Sequence, residues 1–152
     1  MRIAPKITVA LDRSIGRWIY AAHGRLYRLT DGAIGHRSMF GPILLLTTTG
    51  RRSGQPRTTP LLYLPDGEDF IVVASNGGRP AAPLWLRNLE VDPAASVQVG
   101  RRHVPVRARI LSGNEAAALW SRLNRHYAGW QDYQSLTPRT IPPVRLTPAE
   151  RT

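Results

Sequence analysis

Seven consecutive residues, Ile43-Leu44-Leu45-Leu46-Thr47-Thr48-Thr49, pass from apolar into β-branched side chains, the composition of a strand in a half-buried sheet. A second strand follows closely, because Thr59, Leu61 and Tyr63 alternate with Leu62 and Leu64. The connector between them, from Gly50 to Arg57, holds two glycines, one proline and three arginines. The chain is therefore committed early to a β-hairpin with a strongly basic tip. Glycines at 50 and 54 would leave backbone N–H groups able to converge on an anion. Arginine adds a planar fork that grips phosphate or carboxylate through two bonds. An anion cradle and a plain solvated hairpin tip both fit this stretch.

The β pattern continues beyond the hairpin. Strands are expected near 43–49, 57–64, 69–75, 96–100 and 103–111, with Pro65-Asp66-Gly67 as a tight turn. Phe70-Ile71-Val72-Val73-Ala74 is apolar on both faces, as a strand inside a closed sheet would be. Val104, Val106, Ala108 and Ile110 alternate with His103, Pro105, Arg107 and Arg109, which gives one buried and one wet face. Pro60 and Pro105 cannot donate to a ladder and belong at an edge or a bulge. The strands read best as a small barrel.

Helices flank it. Residues 13–29 place Ile15, Trp18, Ile19, Ala22, Leu26 and Leu29 on one stripe, opposite Arg13, Arg17 and Arg28. Such a helix packs on the domain core or lies on an anionic bilayer. Residues 83–90 read as a short helix that ends at Asp92-Pro93. Ser112-Gly113-Asn114-Glu115 fits a capping box, opening a helix whose stripe is Ala116, Leu119, Trp120, Leu123 and Tyr127. The proline- and threonine-rich tail from Ala128 onward is expected to run over the surface. The organisation is a single domain, with an N-terminal helix and linker over 1–40 and a barrel over 41–152.

Composition narrows the function. No apolar window is long enough to span a bilayer, and the N-terminus lacks the apolar run of a signal peptide, so a cytoplasmic location is expected. The absence of cysteine removes disulfides, thiolate metal sites and cysteine nucleophiles. His23, His36, His103 and His126 lie in different elements without ligand spacing, so no metal is expected. No nucleophile elbow, P-loop or dinucleotide fingerprint occurs. A net charge of +11 gathers anions of any kind: nucleic acid, anionic lipid or a multiply charged cofactor. No single-strand stacking platform is evident in the strands, which argues against nucleic acid. The basic hairpin, the Ser75-Asn76-Gly77-Gly78 turn, Trp85 and the aromatic group Tyr127, Trp130 and Tyr133 supply what a planar anionic cofactor needs.

The order of these segments resembles a known family. L-L-T-T-T-G-R-R-S-G-Q-P-R, Y-L-x-D-G, V-A-S-N-G-G, P-L-W-x-x-N-L and the tail Y-x-x-W-Q-D-Y-Q-S-x-T-x-R-x-I-P are similar to those of the deazaflavin (F420)-dependent nitroreductase and quinone reductase family. The resemblance runs from about residue 40 to 143. It implies an α+β, mainly β, split β-barrel of the flavin-reductase and pyridoxamine-oxidase type, with an N-terminal helix and short flanking helices. It also implies coenzyme F420, held by its phosphate and glutamyl tail at Arg51, Arg52, Ser53, Gly54, Pro56 and Arg57. The deazaflavin ring would sit by Ala74, Ser75, Asn76, Gly77 and Gly78, with Trp85 and Asn88 nearby.

The activity so implied is F420H2-dependent hydride transfer to a quinone-like or other electrophilic acceptor, with Ser75, Tyr127, Tyr133 and Trp130 as the acceptor-side catalytic candidates. Two departures bear on it. Relatives often carry lysine where Asn76 stands, which removes one tail contact. Trp130 replaces the middle member of a tyrosine trio, and an indole N–H donates a hydrogen bond but not a proton. That weighs against nitroimidazole reduction more than against quinone reduction. A non-enzymatic F420 carrier, an FMN-binding oxidoreductase and an RNA- or lipid-binding barrel are the alternatives. A homodimer, and peripheral contact with the inner face of the membrane through residues 13–29, are the expected associations.

Overall fold

The structure is a computed structural model and describes residues 22, 24–30, 37–38, 41–127 and 129–149. After a helical segment at residues 24–29 (α1) come β1 (Arg37–Ser38), β2 (Gly41–Thr49), β3 (Pro56–Leu62), β4 (Leu64–Asp66) and β5 (Asp69–Val73). A 3-10 turn (Asn76–Gly78) leads to α2 (Leu84–Val91), followed by β6 (Ala94–Val99) and β7 (Arg102–Ile110). The C-terminal part adds α3 (Gly113–His126), α4 (Gly129–Ser135) and β8 (Pro143–Pro148).

All strand pairings are antiparallel, and β2 pairs with β3 from Ile43↔Leu62 to Thr49↔Pro56. So short a connector could not make the crossover that a parallel return requires. The main path of the sheet runs β1-β2-β6-β7-β8-β5-β4, with β3 also on β2. Only Tyr63 separates β3, at one end of these pairings, from β4, at the other. The sheet must therefore curl until its ends nearly meet, and the split β-barrel expected from the sequence is the architecture found. Pro60 sits in β3, an edge strand, where its missing N–H costs no ladder bond. Pro105 accepts from the Ala149 N–H, so its donor-less side faces β8 just past that strand's end.

Alternation sorts the strands into an interior and an outer layer. Leu44 and Leu46 of β2, Phe70 and Val72 of β5, Val97, Val106, Val144 and Leu146 fill the barrel with Tyr63, Trp85, Leu86 and Leu89. Ile71 and Val73 point outward and pack beneath α3 and α4 with Leu111, Leu119, Leu123, Trp130 and Ile141. That second layer explains why β5 is apolar on both faces. The stripe expected for α3 matches, with Leu119 and Leu123 buried and Ala116, Trp120 and Tyr127 packed beside them.

Three expectations are corrected. The tail does not merely cross the surface: α4 occupies part of it, and β8 lies between β5 and β7 with Val144 and Leu146 fully buried. Prolines at 142, 143 and 148 obscure this short alternation, yet each stands at a strand end. In α1 the buried side chain is Tyr27, against Ile43 and Leu45, while Leu26 and Leu29 are 46% and 85% exposed. Its hydroxyl accepts from the Gly100 N–H at 2.7 Å and lies 3.2 and 3.1 Å from the carbonyls of Ile43 and Gln98. An aromatic that can satisfy its hydroxyl outcompetes two leucines for the face against the barrel. Ile15, Trp18 and Ile19 of the expected stripe lie outside the described residues. The capping box is also absent: Ser112 makes no side-chain cap bond, and Glu115 instead takes a two-pronged fork from Arg109 of β7.

One ionic cluster ties β4, β5, α3 and β8 together. Arg145 donates to Asp66 at 2.9 Å and to Asp69 at 2.8 Å, and Arg122 donates to Asp66 at 3.0 Å. The bonds from Arg145 and then Arg122 lower the Asp66 pKa below its ordinary value of 3.8. A depressed carboxylate contributes stability above its unfolded value and loses it as pH falls through the folded one. Asp66→Asn is expected to cost about 1–2 kcal/mol at neutral pH, since the cluster is part-exposed and its bonds charge-assisted. In urea titrations the gap between wild type and variant should narrow as pH drops below about 4; a constant gap would show that the carboxylate charge contributes nothing.

Candidate functional site

The hairpin tip is built by its own backbone. Gly50 accepts from the Gly54 N–H and donates to Gln55, both at 2.8 Å, and the Gln55 N–H reaches Ser53 Oγ at 3.2 Å. A Cβ at Gly50 would stand 2.5 Å from Ser53 Oγ and 3.2 Å from the Gln55 carbonyl, so a side chain there would displace the serine hydroxyl and crowd the closure. This corrects the expected cradle, because the N–H groups of Gly50 and Gly54 are consumed within the loop. What the tip offers an anion is its side chains. Arg51 is half-buried and Arg52 and Arg57 are exposed. None of the three pairs with a carboxylate among the described residues. Arg57 reaches only Ser53 Oγ, at 3.4 Å.

Helix α2 holds this tip against the barrel. Asn88, 4% exposed, donates from Nδ2 to Thr48 Oγ1 at 3.0 Å and accepts the Arg51 N–H on Oδ1 at 3.1 Å. Both ends of its amide are thus used to dock the hairpin on β2. Trp85, one turn earlier, is buried in the barrel interior. Between tip and helix lies a cavity of about 620 Å³. Arg51, Arg52 and Arg57 border it on one side, Trp85 and Leu84 on the other. Ser53, Pro56 and Asn88 also line it; Gly54 does not. Thr58 and Thr59, which continue the strand from Arg57, are lining residues outside the sequence motifs, and Leu84, within P-L-W, lines the cavity without being among the expected site residues. The volume falls in the range of small-molecule sites, and the walls combine an apolar face with unpaired cations.

A second group gathers apart from that cavity. Asn76, Gly77 and Gly78 take left-handed φ values of 47°, 64° and 75° in succession. A Cβ on Gly78 would meet the Tyr133 carbonyl at 2.9 Å and Leu136 at 3.0 Å, so α4 packs directly on the turn. Ser75, Asn76 and Gly77 are half-exposed, whereas Ala74 is fully buried. Tyr127 packs edge-on to Trp130 at 5.4 Å, and His126 stacks on the indole at 6.3 Å. Trp130 is 4% exposed and packs within the outer core. Tyr127 and Tyr133 pack partly buried around it. None of these side chains lines the arginine-edged cavity. Among the described residues no group of histidines and acids could hold a metal ion, and no helix is long and apolar enough to cross a membrane.

Asn88→Ala would strand the buried Thr48 hydroxyl, at about 1–3 kcal/mol before relaxation, and the part-buried Arg51 N–H at less than that. Reduced stability and faster hydrogen exchange at the Arg51 amide are expected together; exchange unchanged at Arg51 would mean that α2 does not hold the tip.

Comparison with known proteins matches this geometry to a family. A family model described as F420H(2)-dependent quinone reductase matches residues 19–148. An F420H(2)-dependent quinone reductase of Mycobacterium tuberculosis (strain H37Rv) is 41% identical over 141 residues, spanning 90% of this chain and 95% of that protein. Among solved structures, an F420-H2 dependent reductase (FDR-A) superposes with a TM-score of 0.64 at 38% identity, covering 69% of this chain and 93% of that one. A second, described as a domain-swapped dimer, gives 0.67 at 34% identity over 88% of this chain and 99% of that one.

Proposed function

The chain belongs to the F420H(2)-dependent quinone reductase family, and from that premise we propose that it transfers a hydride from reduced F420 to a quinone-like or other electrophilic acceptor. It is an F420-dependent oxidoreductase and its cofactor is coenzyme F420. The observation that carries the binding reading is the set of three acid-free arginines around a cavity backed by Trp85. Those donors suit a phosphate and an acidic tail, and the apolar wall suits a flat ring. Bound F420H2 would supply the hydride that, with one proton, reduces a quinone to its hydroquinone.

The protein's part is then to bind, orient and exclude water. Arg51, Arg52 and Arg57 grip the anionic end, with Ser53, Gly54 and Pro56 shaping the tip. Asn88 acts through the hairpin it docks. Ala74 to Gly78 orient the ring. Ser75, Tyr127 and Tyr133 present hydroxyls to the acceptor's developing oxyanion. Trp130 supports them from the packed layer behind.

Two associations extend the reading. Leu26 and Leu29, exposed next to Arg25 and Arg28, offer an anionic bilayer an apolar edge with cations beside it. Weak vesicle binding that falls with salt and with Leu26→Asp plus Leu29→Asp is expected; co-sedimentation indifferent to both would exclude the contact. A homodimer is supported by the solved relative described as a domain-swapped dimer, and sedimentation of the purified chain reads it directly.

The decisive experiment is a titration against F420 and FMN. F420 should bind more tightly, because its acidic tail reaches several arginines where FMN offers one phosphate, and salt should weaken it. Arg51→Ala with Arg52→Ala should weaken F420 by about one to two orders of magnitude with the fold intact. Equal or tighter FMN binding would refute the cofactor reading, and unchanged affinity in the double variant would refute the clamp.

A further inference from the structure

One guanidinium is spent entirely on backbone carbonyls around the Asn76–Gly78 turn. Arg139 donates from Nε to the Arg79 carbonyl at 3.1 Å. It donates from Nη1 and Nη2 to the Ala74 carbonyl, each at 3.2 Å, and from Nη2 to the Ser75 carbonyl at 2.9 Å. These bonds straddle the turn, two residues before it and one after. No carboxylate pairs with Arg139 among the described residues. Arg122 and Arg145, also part-buried, meet acids; Arg139 meets carbonyl dipoles instead.

Arg139 is itself held in place. Gln134 of α4 donates to the Arg139 carbonyl at 2.7 Å and accepts the Ile141 N–H at 2.8 Å, pinning both flanks of the tail. The Arg139 N–H reaches Thr137 Oγ1 at 3.4 Å, and Thr137 is buried. The clasp therefore joins α4, the tail and the turn. The turn needs such a hold. Asn76 is the only non-glycine residue with positive φ among the described residues, and it is the one member of the turn whose side chain makes that backbone costly to hold.

We propose that Arg139 is a positioning residue for the hydride transfer: its guanidinium clamps the Ser75–Gly78 turn and strengthens the Ser75 and Asn76 N–H groups as donors toward an electron-rich oxygen of ring or acceptor. The second effect follows from the peptide unit. The Ala74 and Ser75 carbonyls share peptide groups with the Ser75 and Asn76 N–H groups. A cation bound at the oxygen draws density from the nitrogen and sharpens the donor. Neither N–H is spent on a backbone or side-chain partner among the described residues. The inference rests on the F420H2 reading for its ligand and on geometry alone for the clamp.

Arg139→Lys tests it, since lysine keeps the charge but has no fork to straddle the turn. In the full chain without cofactor, the amide proton resonances of Ser75 and Asn76 should shift while those of residues 50–55 do not. At saturating F420H2, kcat should fall about ten- to a hundredfold. The KM for F420H2 should move by less than about threefold, because the hairpin clamp is untouched. Unchanged amides, or shifted amides with wild-type kcat, would overturn the proposal. So would loss of the near-UV circular dichroism in both Arg139→Lys and Arg139→Gln, which would make Arg139 a residue of the fold. Wild-type protein that fails to bind F420 would refute the cofactor reading instead, and the amide shifts would still decide the clamp.

Discussion

Tyr63 is the single residue between β3 and β4, and these two strands lie at opposite ends of the sheet's pairings. Because adjacent Cα atoms stand only about 3.8 Å apart, the sheet has to bend round until its ends approach. The rest of the molecule depends on that closure. It creates an interior that β2, β5, β6, β7 and β8 fill from alternate positions, and into which α2 sends Trp85, Leu86 and Leu89. It also leaves an outer face on β5 that α3 and α4 must cover, and one on β2 where Tyr27 packs. Helix α2 thus serves the core with one side, and with Asn88 it docks the hairpin beside it.

The excess positive charge is divided by partner. Acids are few, and Asp66, Asp69 and Glu115 are committed to Arg122, Arg145 and Arg109. Those pairs fasten helices and strands to one another. The hairpin arginines are left without acids, next to a cavity, with the amides of Gly50, Arg51, Gly54 and Gln55 already occupied. Three guanidinium forks without acid partners therefore converge beside one cavity, an arrangement suited to a multiply charged anion.

The C-terminal segment fastens the Asn76–Gly78 turn to the barrel. Its strand β8 lies between β5 and β7, its helix α4 contributes Trp130 to the outer core and carries Gln134, and the stretch between them holds Thr137 and Arg139. A turn with three left-handed residues sits between α4 and this clasp. Packing on one side and a guanidinium on the other leave it little freedom.

By itself the sequence determined the antiparallel hairpin, the doubly apolar β5, the α2 and α3 helices and the basic tip, because each is a matter of local period or local composition. The ordered motifs from Thr47 to Pro142 also carried the family, and with it the split barrel and the cofactor. Only the tertiary structure decided that Pro143–Pro148 is a central strand, since its short alternation between prolines becomes a strand only when β5 and β7 supply partners. It decided that Tyr27 rather than Leu26 and Leu29 faces the barrel, because the choice turns on carbonyls and an amide at residues 43, 98 and 100. It decided likewise that Trp130 lies buried in the outer core and that Arg139 clasps a turn 65 residues away in the chain. No window of sequence reports such meetings, because hydrogen-bond satisfaction is settled by which distant groups the closed sheet brings together.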